Sequence, residues 1–217
     1  MNGVFVTGTG TEVGKTVVAA VIARTLAADG QTVAVFKPAV TGLDEPGEPD
    51  HALLRRASGS TQSDEEIAPF RYGPPASPHL AAEMAGEEIE RDRLLAAAYI
   101  AATSASTLVC EGVGGLLVPL GRDYLVRDLA VDLALPLVIA ASPGLGTINH
   151  TLLTIEVARA AGLEVVVVVL TPWPAQPSPV EQSNRETIEA LGDVPVETLP
   201  LIDLDEPGTW PQLLVRR

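Results

Sequence analysis

Cysteine is almost absent: the 217 residues contain one, Cys110. It cannot form an internal disulfide, and its place in the apolar run "TLVC" reads as a strand interior rather than a redox motif. Basic charge is also scarce, with 14 lysines and arginines against 28 acidic residues and a net charge of −14. No broad basic surface faces a phosphate backbone or an anionic bilayer, which argues against nucleic-acid and membrane partners. Long hydrophobic runs are missing, since no stretch approaches the roughly eighteen apolar residues of a membrane span. The opening residues lack a basic segment of the kind that precedes an export signal, so a reducing, cytoplasmic setting is expected. The histidines His51 and His79 have no spacing that suggests a metal cluster or a nucleophilic triad.

What is present is a chain with 47% hydrophobic residues, enough for a substantial core, read as one domain over residues 1–217. Apolar runs of strand length alternate with alanine-rich stretches of helix length. "GVFVTG", "TVAVFK", "TLVCEG", "PLVIAA" and "EVVVVVL" are the expected core strands. Several are apolar at every position, which fits strands covered on both faces. The fold class predicted is α/β, a doubly wound and mostly parallel sheet. Helices are expected over 15–28, 91–103, 149–161 and 180–191, with Gly30 and Gly162 as stop signals. Between Gly42 and Pro78 the chain is polar and rich in proline and glycine, with one short helical pattern, "DHALLRRAS". This segment is read as an insertion or part of an active site. The tail from Asp203 has little periodicity and no predicted structure.

The first strand runs into "GTGTEVGKT", Gly8 to Thr16, and then an alanine-rich helix. Strand, glycine turn, Gly-Lys-Thr and helix form the context of a P-loop, the phosphate-binding loop of nucleotide-binding α/β proteins. Its backbone N–H groups curl around an anion, the helix start adds a positive dipole end, and the lysine reaches terminal phosphates. Thr9, Gly10, Thr11, Glu12, Val13, Gly14, Lys15, Thr16 and Val17 are thus candidate nucleotide contacts. Five residues separate Gly8 from Gly14, one more than in the general pattern.

Thr16 is placed to put its hydroxyl on Mg²⁺, which needs further hard oxygen ligands. Glu111, read as ending the strand "TLVC" at the carboxyl edge of the sheet, is one candidate. Asp50, opening "DHALLRR", is another, with a plain helix cap as the equal alternative. Lys37, at the end of the second strand, can neutralise charge on transferring oxygens, and Thr41 offers a hydroxyl near the same edge. "SPGLGTINH", Ser142 to His150, repeats the strand, glycine turn and helix design. It reads equally as a second anion site and as an ordinary connection with Asn149 as a cap.

Taken together, "GTGTEVGKT", "KPAVTG", "EGVGGLLVPL" and "GLGTINHTLLT", in this order and spacing, resemble dethiobiotin synthetase from about Val4 to Leu191. The resemblance implies an ATP-dependent carbon–nitrogen ligase of biotin synthesis that converts 7,8-diaminononanoate, CO2 and ATP to dethiobiotin, ADP and phosphate. An amine becomes a carbamate, ATP phosphorylates it to a mixed anhydride, and the second amine closes the ring. It also implies Mg²⁺ on Thr16, Asp50 and Glu111, with Lys15, Lys37, Thr11 and Glu12 at the reacting centre. Substrate contacts would come from Lys37, Thr41 and Gly114, and from Gly146, Thr147 and Asn149 holding its carboxylate at the interface of a homodimer.

Two departures from the family accompany the resemblance. Gly10 stands where many members carry an acidic residue. Thr171, followed by Pro172 at the base end of the site, occupies a position where an asparagine commonly reads adenine. ATP is therefore expected to compete with CTP or GTP. The alternative considered is a nucleotide-switched scaffold of the partition or cell-division type. The missing early lysine in the loop, the acidic balance and the lack of a basic amphipathic tail argue against it.

Overall fold

The structure, a computed structural model, describes residues 1–103, 105–213 and 215. The chain opens with β1 (Gly3–Gly8), α1 (Lys15–Ala28) and β2 (Val33–Phe36). The polar insertion then contributes β3 (Ala39–Val40), α2 (Asp50–Ser58), α3 (Asp64–Ile67), β4 (Phe70–Arg71) and α4 (Pro78–Met84). α5 (Arg91–Thr103) and β5 (Thr107–Gly115) follow, then a small antiparallel pair, β6 (Pro119–Gly121) and β7 (Tyr124–Leu125), running into α6 (Val126–Leu133). β8 (Leu137–Ala141), α7 (Thr147–Ala160), β9 (Val165–Trp173), α8 (Pro179–Gly192) and β10 (Val196–Pro200) come next, and a short 3-10 turn, Pro207–Thr209, completes the order.

Six strands form the central sheet in the order β10-β9-β8-β1-β5-β2, and every neighbouring pair is parallel. β1 lies inside the sheet between β5 and β8, so the chain winds first to one side of it and then to the other. The crevice at the carboxyl end of such a central strand is where open α/β sheets bind ligands.

The apolar runs are buried on both faces, as parallel strands require. On one face Val4 and Val6 of β1 meet Val18 to Ala23 of α1 and Leu53, Leu54 and Ala57 of α2. On the other, Phe5, Leu108 and Cys110 pack with α5 and α6, and Ile139 and Ala141 pack with α7 and α8. Cys110 is fully buried there and burial pushes its thiol pKa up, so it serves packing.

Helix boundaries follow the local chemistry. α1 and α7 stop where Gly30 and Gly162 adopt positive φ, as expected for residues just past a helix end. α7 begins two residues before the predicted start, which moves Asn149 into its first turn and leaves Gly146 at the cap. β5 is also longer than predicted. It runs through Gly115, so Glu111 lies within the strand, opposite Val6, and not at its end. β10, an edge strand with only two of five residues buried, carries no alternating signal. The eight-residue α6 does repeat at helical spacing, with Val126, Leu129, Ala130 and Leu133 buried, but it is too short to stand out.

The tail, open in the sequence, lies against α1 and α2. Trp210 and Leu213 join the core there, and the Leu213 N–H donates to Thr25 Oγ1 at 3.1 Å. Arg56 of α2 donates to Leu204 O at 2.7 Å and pairs with Glu48. Apolar packing does most to fix α2 on α1. A buried leucine such as Leu54 contributes about 1.5–3 kcal/mol, against about 0–1 kcal/mol for a surface pair like Arg56–Glu48.

Candidate active site

At the carboxyl end of β1 the loop from Gly8 to Gly14 turns into α1 and forms one wall of a cleft of about 740 Å³. Two glycines are required here. A Cβ on Gly8 would lie 2.8 Å from the Lys15 side chain, which passes over it. Gly14, at φ 87°, would press a Cβ to 2.5 Å from Thr171 Cγ2. Gly14 is also the N-cap of α1. No side chain caps that helix and its first turn has no acidic residue. Among the described residues, no protein acceptor engages the N–H groups of Thr11 to Gly14, whereas the Thr9 N–H is already committed to Ala140 O at 3.1 Å. A helix start left open in this way has donors and a positive dipole end to offer an anion.

Lys15 is buried, and its Nζ donates to Gly10 O at 2.7 Å. Burial lowers its ammonium pKa, while Glu111 pulls the other way. Below the loop, four side chains from four parts of the chain converge. Thr16 Oγ1 lies 2.8 Å from Glu111 Oε1 and 3.0 Å from Asp50 Oδ1. Lys37 Nζ lies 2.6 Å from Glu111 Oε1 and 2.7 Å from Asp50 Oδ2. Asp50 is the first residue of α2 and caps nothing, because Pro49 takes the cap position. Its carboxylate is spent on Thr16 and Lys37, so the cap alternative is set aside.

The electrostatics of the four are unequal. Burial would depress the Lys37 ammonium, yet Glu111 and Asp50 together hold it above the ordinary lysine value. Burial would raise Asp50, but Lys37 and the Thr16 hydroxyl hold it below the usual carboxylate range. Glu111 stays above that range because it is fully buried and Lys37 offsets only part of the cost. Its Oε2 is buried without a hydrogen-bond partner.

This set fits a divalent cation. One threonine hydrogen faces two carboxylate oxygens, and a buried carboxylate oxygen has no donor; both deficits are met by a hard cation. Among the described residues no three His, Cys, Asp or Glu side chains are grouped to hold a metal. Two carboxylates and a hydroxyl suit Mg²⁺ better than a dedicated cage would, because Mg²⁺ keeps waters and phosphate oxygens among its ligands.

The cleft also receives Thr11, Glu12, Val17, Thr41 and Gly114. Glu12, exposed at the loop's crest, has φ 59°. Other expected residues lie elsewhere. Thr171 is buried beneath the loop, against Gly14, and neither it nor Pro172 lines the cleft. Gly146, Thr147 and Asn149 start α7 outside the cleft. Thr147 is buried with its hydroxyl near Thr151, Asn149 is exposed, and the loop before them is anchored by Asn184, which donates to Pro143 O and Gly144 O.

The sequence reading did not single out Glu45, Val113, Val118 or the Pro75 to Pro78 stretch, all of which line the cleft. The proline-rich run "YGPPASP" was the available signal. A count was another: only two of the 14 basic residues are lysines, and Lys15 and Lys37 both sit here.

Comparison with known proteins agrees with this geometry. A family model described as an AAA domain matches residues 2–201. An ATP-dependent dethiobiotin synthetase BioD from Bacillus subtilis (strain 168) is 38% identical over 197 residues, 90% of this chain and 85% of that protein. One from Rhodococcus erythropolis is 42% identical over 194 residues, 88% of this chain and 85% of that protein. The chain belongs to the dethiobiotin synthetase family. Among solved structures, the signal recognition particle receptor FtsY from Elizabethkingia anophelis matches with a TM-score of 0.51 at 14% identity. The match covers 94% of this chain and 60% of that one, a likeness of fold alone. Among the described residues no helix is long and apolar enough to cross a membrane.

Proposed function

We propose that the protein is an ATP-dependent ligase that closes the ureido ring of dethiobiotin from 7,8-diaminononanoate and CO2. The observation that carries this is the convergence of Thr16, Lys37, Asp50 and Glu111 under an uncapped helix start, in a chain of the dethiobiotin synthetase family.

The reaction brings two anions together. A carbamate oxygen, formed from one amine and CO2, attacks the γ-phosphorus of ATP, and the bond to the ADP oxygen breaks. The second amine then attacks the carbamate carbon, phosphate leaves with its bridging oxygen, and a proton is lost as the cyclic urea forms. Lys15 and the N–H groups of the loop hold the phosphates, while Lys37 faces the incoming carbamate across the cleft. Mg²⁺ held by Thr16, Asp50 and Glu111 would neutralise charge on the terminal phosphates. Thr11, Glu12, Thr41 and Gly114 complete the walls around the reacting groups.

The substrate's carboxylate is assigned to the α7 start, in a homodimer where one protomer's Gly146, Thr147 and Asn149 complete its partner's cleft. Two features support this: the α7 start has neither a side-chain cap nor an acidic first turn, and Leu145 beside it is 94% exposed. Base recognition is assigned low selectivity, because Thr171 is packed under Gly14 instead of facing the cleft. Values of kcat/KM for ATP, CTP and GTP within about tenfold are expected, roughly what one loosely read contact allows; a thousand-fold preference for ATP contradicts this point.

The function is tested with ¹³C-bicarbonate, Mg-ATP and 7,8-diaminononanoate. The expected product is dethiobiotin one mass unit heavier, with the label in the ureido carbon. Absence of any dethiobiotin removes the ligase reading.

A further inference from the structure

We propose that Lys37 is a resident counter-cation of the metal site, occupying it until a divalent cation arrives and then turning into the cleft. Lys37 touches both carboxylates assigned to the metal, at 2.6 and 2.7 Å, through the same Glu111 oxygen that meets Thr16. The ammonium and the metal therefore compete for one set of oxygens.

Charge requires the exchange. With Lys37 in place and the buried Lys15 close by, the two carboxylates are already matched by two ammonium charges, and Glu111 Oε2 remains without a partner. Adding a divalent cation beside the two ammonium groups would give four positive charges against two negative ones, with Glu111 fully buried, Lys37 nearly so and only Asp50 partly exposed. Desolvated charge is tolerated only when matched, so one cation leaves.

Geometry identifies Lys37 as the one that moves. Glu111 is fixed within β5 by pairing with β1, and Asp50 by the first turn of α2. Thr16 is the second residue of α1. Lys37 ends in a flexible four-carbon stem, follows β2, precedes Pro38 and lines the cleft. Rotation of that stem delivers the charge to the cleft with no change in the backbone. Metal loading thereby readies the lysine that faces the transferring group.

The proposal rests on the phosphoryl-transfer reading only for what the released lysine does; the exchange is measured without nucleotide or diamine, so each can fail alone. Mn²⁺ binding to the nucleotide-free protein is followed by the electron paramagnetic resonance of free Mn²⁺. Lys37→Gln is expected to bind Mn²⁺ at least about tenfold tighter than the unaltered protein, and adding Glu111→Gln is expected to erase the gain. Equal or weaker binding by Lys37→Gln overturns the proposal. Because that variant alters a buried cluster, a second measurement uses the unaltered protein. Its two lysines are acetylated at trace level and counted by mass spectrometry. Lys37 is expected to react several-fold faster with saturating Mn²⁺ than without it, and unchanged protection of Lys37 overturns the exchange.

Discussion

The loops before α1 and α7 share one design and differ in what surrounds them. Both follow a buried parallel strand, both end at a glycine with positive φ, and neither helix has a side-chain cap or an acidic first turn. Around the first loop the same chain supplies Lys15, Thr16, Lys37, Asp50 and Glu111. Around the second, an exposed Leu145 and an exposed Asn149 face outward, and the loop's backbone is held from behind by Asn184. One loop gathers its charged groups within a single chain, while the other is open and, in the proposed reading, serves the cleft of a second copy. α8 shows what a purely structural start looks like. Ser178 caps Glu181 N, Glu181 returns to Ser178 N at 2.6 Å, and Pro179 occupies the first turn.

That contrast ranks the expected effects of substitutions. Lys15→Ala removes a cation from the first loop and is expected to lower turnover by about a thousand-fold or more. Turnover within a few-fold of the unaltered enzyme removes Lys15 from the reaction. Lys37→Ala is expected to lower kcat by about a hundred-fold or more while nucleotide Kd changes only a few-fold, since its contact belongs to the transition state. An effect confined to KM places Lys37 in ground-state binding instead. Asn149→Ala, at the second loop, should raise the diamine KM about tenfold and leave nucleotide Kd unchanged; a normal diamine KM separates the α7 start from the substrate. Ser178→Ala, at the capped start, should cost about 1 kcal/mol in denaturant unfolding and leave kcat/KM as it was. Loss of activity without loss of stability there would break the distinction between capped and open helix starts.

The same contrast explains what could be read in advance. The first loop was legible because its chemistry is contiguous, with Gly8, Lys15 and Thr16 carrying their meaning in spacing alone. Asp50 was legible only through the family resemblance, because a carboxylate at a helix start has the same local signature whether it caps the helix or reaches across to Thr16. Only the packing of α2 on α1 decides between these. Lys37 was placed at the sheet's edge, but its burial between two carboxylates depends on Asp50 and Glu111 arriving from distant segments. Glu45 and the Pro75 to Pro78 wall carry no motif, and they enter the cleft because the insertion folds back through the short β3–β4 pair. The five core strands stood out by continuous apolar character, whereas β10, half-buried at an edge, did not. Thr171, expected at the base end of the site from the motif order, packs against Gly14 of the phosphate loop, a contact that no spacing in the sequence specifies.

The central claim is that phosphate chemistry at the first loop is coupled to a diamine substrate. The most direct measurement is the rate of phosphate release from Mg-ATP and bicarbonate, with and without 7,8-diaminononanoate. The expected result is release that depends on the diamine, one phosphate for each dethiobiotin formed. Phosphate release at the same rate without the diamine, and with no dethiobiotin in its presence, would contradict the account.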